Sequence, residues 1–273
     1  MLNMNDGTVK LLSRLAASPR LKSLLWRRVY EALARQYGQG DWTFMNYGYW
    51  DEAIENLPLD AQDAPNRPFI GLYERVTRGL DLSGKEVVEV GSGRGGGAAY
   101  LARTKSPKMM LGLDFSQQAT RLAQTLHDAR RLRFRQGDAL RLPLHPDSFD
   151  IILNVESSHC YASMPQFLSE VARVLRPGGT FSWCDMRLRT KWDEVRAQFA
   201  AAGLEIDSDT EITHNVVQAL DVIAPSKEEA ILRRVPAWLQ RPFADFAGMP
   251  GSRIYSLLQS GEVRYGAIQA RKA

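Results

Sequence analysis

Val87-Val88-Glu89-Val90-Gly91-Ser92-Gly93-Arg94-Gly95-Gly96-Gly97 decides the fold. Three valines around a single acid read as a buried parallel strand. The glycines that follow make a tight turn where backbone can approach a ligand closely. Ala98 to Arg103 reads as the helix after the turn. Strand, glycine loop and helix form the first unit of a nucleotide-binding, doubly wound α/β sheet.

Two cofactor classes use such a loop. Gly91-x-Gly93-x-x-Gly96 fits the dinucleotide fingerprint, and Glu89-x-Gly91-x-Gly93-x-Gly95 fits an S-adenosylmethionine pattern. A dinucleotide puts a pyrophosphate at the helix N-terminus. S-adenosylmethionine brings a sulfonium and an ammonium instead, and a carboxylate at Glu89 suits those cations. A structural role for Glu89, pairing with a nearby arginine, is the plainer alternative.

The rest of the sheet discriminates. Met109 to Asp114 reads as a second strand, and Asp114 stands 23 positions after Gly91, near the spacing of an acid that accepts from ribose hydroxyls. Phe134 to Ala139 reads as a third strand ending in Gly137-Asp138-Ala139, where an acid can accept from an adenine amino group and alanine leaves room for the ring. Phe149 to Val155 is the fourth strand. A helix from Met164 to Leu175, a turn Arg176-Pro177-Gly178-Gly179 and a fifth strand Thr180 to Asp185 follow.

This ordered set resembles the class I S-adenosylmethionine-dependent methyltransferases, most closely over residues 75 to 190. The resemblance implies a Rossmann-like α/β fold with a mostly parallel seven-stranded sheet. It implies S-adenosyl-L-methionine as cofactor and S-adenosyl-L-homocysteine as product, with no metal. Glu89, Gly91, Gly93, Asp114, Asp138 and Ala139 would bind the cofactor. Tyr47, Ser92, Phe115, Asn154 and Glu156 complete the expected cofactor set.

The chain has 273 residues, 44% hydrophobic and 24% charged, with a formal charge of +4. This is ordinary for a globular protein. No membrane-spanning run and no signal peptide is read, so a cytoplasmic protein is expected. Cys160 and Cys184 show no metal or disulfide spacing. Basic residues concentrate at Arg14 to Arg35, Arg130 to Arg141 and Arg187 to Lys191. None interleaves with an aromatic platform, which argues against nucleic acid. A solvated face is the favoured reading, with weak peripheral contact to a lipid surface as the alternative.

Four regions are expected. Residues 1–74 form a helical N-terminal lid, 75–211 the cofactor-binding core, 212–260 a helical cap insertion and 261–273 the final strand. In the lid, leucines recur at helical spacing over residues 9 to 36, and Trp42 to Asp51 holds five aromatics. Such rings can plug a gap between lid and core, or cover a cation and exclude water. Tyr47 and Trp50 are assigned to cofactor and acceptor contact. Thr213 to Val222 and Ser226 to Phe246 read as two cap helices.

Chemistry is expected at the carboxyl ends of the fourth and fifth strands. Asn154 to Tyr161 follows the fourth, and Cys184-Asp185-Met186-Arg187 ends the fifth. His159 can take a proton near neutrality, and Asp185 can fix its tautomer. The alternative is a structural His159, with Asp185 paired to Arg187 or Arg189. Tyr161 and, secondarily, His214 are further acceptor-site candidates.

Val155-Glu-Ser-Ser-His-Cys-Tyr161, Met45-Asn-Tyr-Gly-Tyr49 and Ser260-Gly-Glu-Val-Arg-Tyr265 are similar to the phthiotriol/phenolphthiotriol dimycocerosate methyltransferases and related bacterial polyketide O-methyltransferases. The His and Asp pairing is also similar to the rebeccamycin-type sugar O-methyltransferases, where both act in deprotonation. The resemblance implies O-methylation of a small hydrophobic lipid or polyketide acceptor. C- or N-methylation, including that of a prenyl group or alkene, and a non-catalytic binding subunit are the alternatives carried forward.

Overall fold

The computed structural model describes residues 43–234, 240, 244 and 247–273. The expected helix over residues 9 to 36, and Trp42, Trp238, Leu239, Phe243 and Phe246, lie outside the described residues. Seven strands form one sheet in the order β3-β2-β1-β4-β5-β7-β6. They are β1 (Glu86–Val90), β2 (Met109–Asp114), β3 (Leu132–Gln136), β4 (Phe149–Val155), β5 (Leu175–Leu188), β6 (Leu204–Glu211) and β7 (Val263–Lys272). β7 runs antiparallel to both of its neighbours. β1 pairs in parallel with β2 and with β4.

Helices cover both faces. α1 (Glu52–Glu55), α2 (Arg67–Val76), α3 (Gly96–Thr104) and α4 (Gln117–Leu126) precede β4, and α5 (Met164–Val174) and α6 (Trp192–Ala201) flank β5. α7 (Thr213–Arg234) and α8 (Arg253–Gln259) fill the connection from β6 to β7. Val87 points to the face packed by Ile70, Leu101 and Leu220, whereas Val88 and Val90 meet Phe167, Val171 and Phe199 on the other. Both faces being buried explains why the central strands read as almost unbroken apolar runs.

Several boundaries differ from the sequence reading, three of them substantially. β3 begins two residues earlier than expected and stops at Gln136, which turns Gly137-Asp138-Ala139 into the loop after the strand. β5 starts at Leu175, because Leu175 pairs with Phe149 and Thr180 with Ile151. Arg176 to Gly179 are therefore a bulge inside the strand. α7 runs through Pro225 as one helix where two were expected. Buried Val216, Ala219, Leu220, Ile223 and Ile231 keep an apolar stripe on both sides of the proline, and packing offsets the lost hydrogen bond. No described helix is long and apolar enough to cross a membrane.

The strand order reverses between β1 and β4. Ligands of open α/β sheets bind at such a switch point, outside the carboxyl ends of the strands.

Candidate active site

A cavity opens at that switch point. Its lining includes the glycine loop, Asp114 to Ser116, Gly137 to Leu140 and Val155 to Ser157. The segment from Thr43 to Asn46 closes one side, and the Thr43 carbonyl accepts from Gly96 N–H at 3.2 Å.

Glu89 precedes Val90 of that lining, is 0% exposed and is not itself among the lining residues. The Tyr73 hydroxyl donates to its Oε1 at 2.7 Å, and Oε2 has no hydrogen-bond partner among the described residues. Burial raises its pKa to about 7, against the lowering pull of the Tyr73 hydroxyl. Asp114, at the end of β2, accepts from Gly93 N–H and Ser116 N–H, each at 2.8 Å. Burial raises this carboxyl too, and the two backbone donors oppose the rise. Asp138 is exposed and folds back on its own loop, with Oδ1 accepting from Leu140 N–H at 2.9 Å. Ala139, Gly91, Ser92, Gly93 and Phe115 line the cavity as well.

At the end of β4, Asn154 Nδ2 donates to the Val90 carbonyl at 2.8 Å and to the Tyr161 hydroxyl at 3.0 Å. Glu156 has a left-handed backbone, with φ 48°, rare for a residue with a side chain. Its Oε2 accepts from Tyr47 N–H and from the Tyr265 hydroxyl, both at 2.7 Å. Burial lifts its pKa to about 7, although both donors favour the charged form. Backbone strain of this kind persists where surrounding contacts over-determine it. Here the contacts tie the aromatic segment to both β4 and β7.

His159 and Asp185 do meet. His159 Nδ1 lies 2.8 Å from Asp185 Oδ1, and His159 N–H donates to Oδ2 at 2.8 Å. The Ser158 hydroxyl donates to Oδ2 at 2.6 Å, and Arg187 Nη1 lies 3.2 Å from it. The two readings of Asp185 were set against each other in the sequence, and the structure shows both partners at once. Asp185 is 0% exposed and the His159 side chain 28% exposed. Burial opposes charge on both, yet their mutual attraction wins. It holds the imidazole pKa well above its usual value and the Asp185 carboxyl below its own. An ionised carboxylate only accepts, so Nδ1 carries a proton, and His159 itself is not among the residues that line the cavity. Ser157 and Cys160, on either side of His159, line the cavity.

Tyr47 is held by its backbone to Glu156, and its ring lies 5.9 Å from the Lys227 ammonium of α7. Trp50 exchanges backbone contacts with Asn215, N–H to carbonyl at 3.1 Å and carbonyl from Nδ2 at 2.9 Å. Neither lines the cavity. His214 is exposed on the first turn of α7 and is not brought to the cavity.

Sequence reasoning missed Tyr73, Ser158, Tyr265 and Lys227 as members of this network. Tyr73 and Lys227 sit on helices with no motif. Lys227 Nζ donates to the Ala247 carbonyl at 3.1 Å and lies 5.6 Å from the Phe69 ring. Burial lowers its pKa to about 8. It clamps α7 onto the aromatic segment. Replacing Tyr47 or Trp50 by Ala is expected to cut turnover more than thermal stability, if the segment closes the site. Turnover and melting temperature measured side by side check this. Unfolding of both variants would reduce the segment to packing.

A family described as a methyltransferase domain matches residues 88–183. The phthiotriol/phenolphthiotriol dimycocerosates methyltransferase of Mycobacterium tuberculosis is 38% identical over 258 residues, covering 94% of this chain and 95% of its own. The fatty-acid O-methyltransferase of Mycolicibacterium smegmatis is 38% identical over 237 residues, covering 87% and 86%. Among solved structures, geranyl diphosphate C-methyltransferase from Streptomyces coelicolor A3(2), in complex with Mg2+, geranyl diphosphate and S-adenosyl-L-homocysteine, superposes with a TM-score of 0.64. It is 17% identical and covers 89% of this chain and 98% of that one, a likeness of fold.

Proposed function

The chain belongs to the S-adenosylmethionine-dependent methyltransferases that include the phthiotriol/phenolphthiotriol dimycocerosates methyltransferases, and from that premise we propose that it methylates a hydroxyl of a hydrophobic lipid or polyketide acceptor. The observation that carries the proposal is the His159–Asp185 pair beside a cavity lined by Asp114 and the glycine loop, with buried Glu89 held behind the lining residue Tyr73.

The residues fit the cofactor. Glu89 Oε2 is a buried acceptor without a partner among the described residues, as a site for a cationic ligand requires. Asp114, Asp138 and Ala139 stand along one wall of the cavity, where ribose and adenine would lie. S-adenosyl-L-methionine supplies a methyl group on a positively charged sulfur. The chain's own residues do the rest. Glu89 and Asp114 bind and orient, which carries much of the rate of an in-line transfer. The Thr43–Trp50 segment excludes water. His159 Nε2 takes the acceptor proton as the new O–C bond forms, and Asp185 stabilises the resulting imidazolium.

A second reading has one observation in its favour. Asp185 favours the charged form of His159, and an imidazolium suits an acceptor oxygen that is already ionised, such as a carboxylate. The fatty-acid O-methyltransferase relative is named for such an acceptor. The slope of the rate against pH separates the two readings.

Calorimetry with S-adenosylhomocysteine and NAD tests the cofactor. The first is expected to bind and the second not. Glu89 has a raised pKa, so at acid pH it is neutral and a poor partner for a cation. Affinity is expected to rise with pH through about 7, with proton release on binding below that value. Tight NAD binding with no response to S-adenosylhomocysteine would sink the proposal.

A further inference from the structure

The β3 edge of the sheet carries a charge pattern that the reaction does not use. Residues 121–141 hold six arginines against Asp128 and Asp138, a formal +4. Among the described residues β3 pairs only with β2 and ends the sheet. Arg131, Arg133 and Arg135 alternate along this edge, so their side chains leave the same face, about 7 Å apart along the strand. All three are exposed. None forms an ion pair among the described residues. Among the described residues their guanidinium groups donate to backbone carbonyls alone, those of Pro107, Leu132 and Pro143. Several other arginines are ion-paired: Arg173 with Glu170, Arg196 and Arg264 with Asp209, Arg271 with Asp207.

The edge also adjoins the cavity. Gln136, the last residue of β3, donates from Nε2 to the Phe115 carbonyl at 3.2 Å. Phe115 lines the cavity and is 41% exposed. An exposed aromatic at a cavity mouth beside an arginine row matches the chemistry of a lipid–water interface. There the ring reaches the acyl boundary and guanidinium groups meet anionic headgroups.

We infer that the β3 edge, through Arg131, Arg133 and Arg135 with Phe115 beside them, is a docking surface for an anionic lipid membrane. The inference rests on the proposed hydrophobic acceptor, since such a molecule resides in a bilayer and docking there brings the cavity mouth to it. Charges on an edge strand also prevent association with other strands. That duty is met by charge of either sign, whereas binding to an anionic surface is not.

The test uses the full chain and sedimentation with vesicles of phosphatidylcholine, with and without phosphatidylglycerol. The wild type is expected to bind the mixed vesicles only, and less at high salt. Each interfacial arginine is worth about a fivefold change, so Arg131→Glu, Arg133→Glu and Arg135→Glu together are expected to weaken binding by roughly 100-fold or more. Phe115→Ser is expected to weaken it further. S-adenosylhomocysteine affinity, measured on the same proteins, is expected to stay unchanged in the triple variant. Four outcomes overturn the inference. The wild type ignores anionic vesicles, it binds neutral ones equally, or the triple variant binds as the wild type does. The last would assign membrane contact to the basic residues between Arg14 and Arg35. Retention by an acidic carrier protein in place of vesicles also overturns it. Loss of S-adenosylhomocysteine binding in the wild type would defeat the methyltransferase reading alone and leave the surface standing.

Discussion

Replacing His159 by Ala is expected to slow methyl transfer by about 10²–10⁴-fold, the usual worth of a general base. Affinity for S-adenosylhomocysteine is expected to be nearly unchanged, because Nδ1 is taken by Asp185 and the proposed mechanism directs Nε2 to the acceptor. Asp185→Asn is expected to act in the same direction. Asp185 is buried and gathers donors from His159, Ser158, Arg187 and the Met186 backbone, so its amide variant leaves several of them without a charged partner. A stability loss of about 1–3 kcal/mol accompanies that change. His159→Ala spares most of these contacts and is the cleaner probe.

The pH dependence follows from the same pair. Asp185 raises the His159 pKa, so the neutral base is populated only above the ordinary histidine range. For a hydroxyl acceptor the rate is expected to rise with pH through this raised value in the wild type. The limb is expected to vanish in His159→Ala. Stability runs the other way. A histidine with a raised folded-state pKa contributes stability that is fully present below its unfolded pKa and is lost as pH rises through the folded value. The enzyme is therefore expected to gain rate and lose stability over one pH interval. A rate that falls across the interval would exclude His159 as base and favour an acceptor already ionised.

How much of this was legible in the sequence depended on the range of the contact. β2 and β4 were read with their observed ends, because strands buried on both faces write themselves as apolar runs. The pairing of His159 with Asp185 was legible from topology, since adjacent strand ends bring the residues that follow them together. The partners of Glu89 and Glu156 were not. Tyr73 reaches Glu89 from a preceding helix, and Tyr265 reaches Glu156 across 109 positions. No local spacing encodes either contact. α7 passing through Pro225 was hidden for a related reason. Proline is a local signal for a break, and the apolar stripe that overrides it acts through tertiary packing. The bulge at Arg176 to Gly179 looked like a turn because its composition is that of one.

Gly91→Ala is the second change expected to have a large effect, and it tests the loop from which the fold was read. Gly91 has φ 80°, and a Cβ there would stand 2.3 Å from Ser157 Oγ and 2.8 Å from the Tyr161 hydroxyl. Both neighbours are fixed, since Asn154 Nδ2 donates to each of them and also to the Val90 carbonyl. Left-handed backbone costs a residue with a side chain about 1–2 kcal/mol. Overpacking of a well-filled site adds about 1–3 kcal/mol. The variant is expected to melt at a lower temperature and to bind S-adenosylhomocysteine at least roughly tenfold more weakly, as a loss of about 1.4 kcal/mol implies. Gly84→Ala is the matched control. Gly84 has φ 69° and nothing within 4 Å of its added Cβ. It carries the backbone strain without the collision, and it lies before β1, outside the cavity lining. Its melting temperature is expected to drop modestly while S-adenosylhomocysteine affinity holds. Equal losses of affinity in the two variants would mean that strain alone matters. The contact of Gly91 with Ser157 and Tyr161 would then have no part in shaping the cofactor cradle.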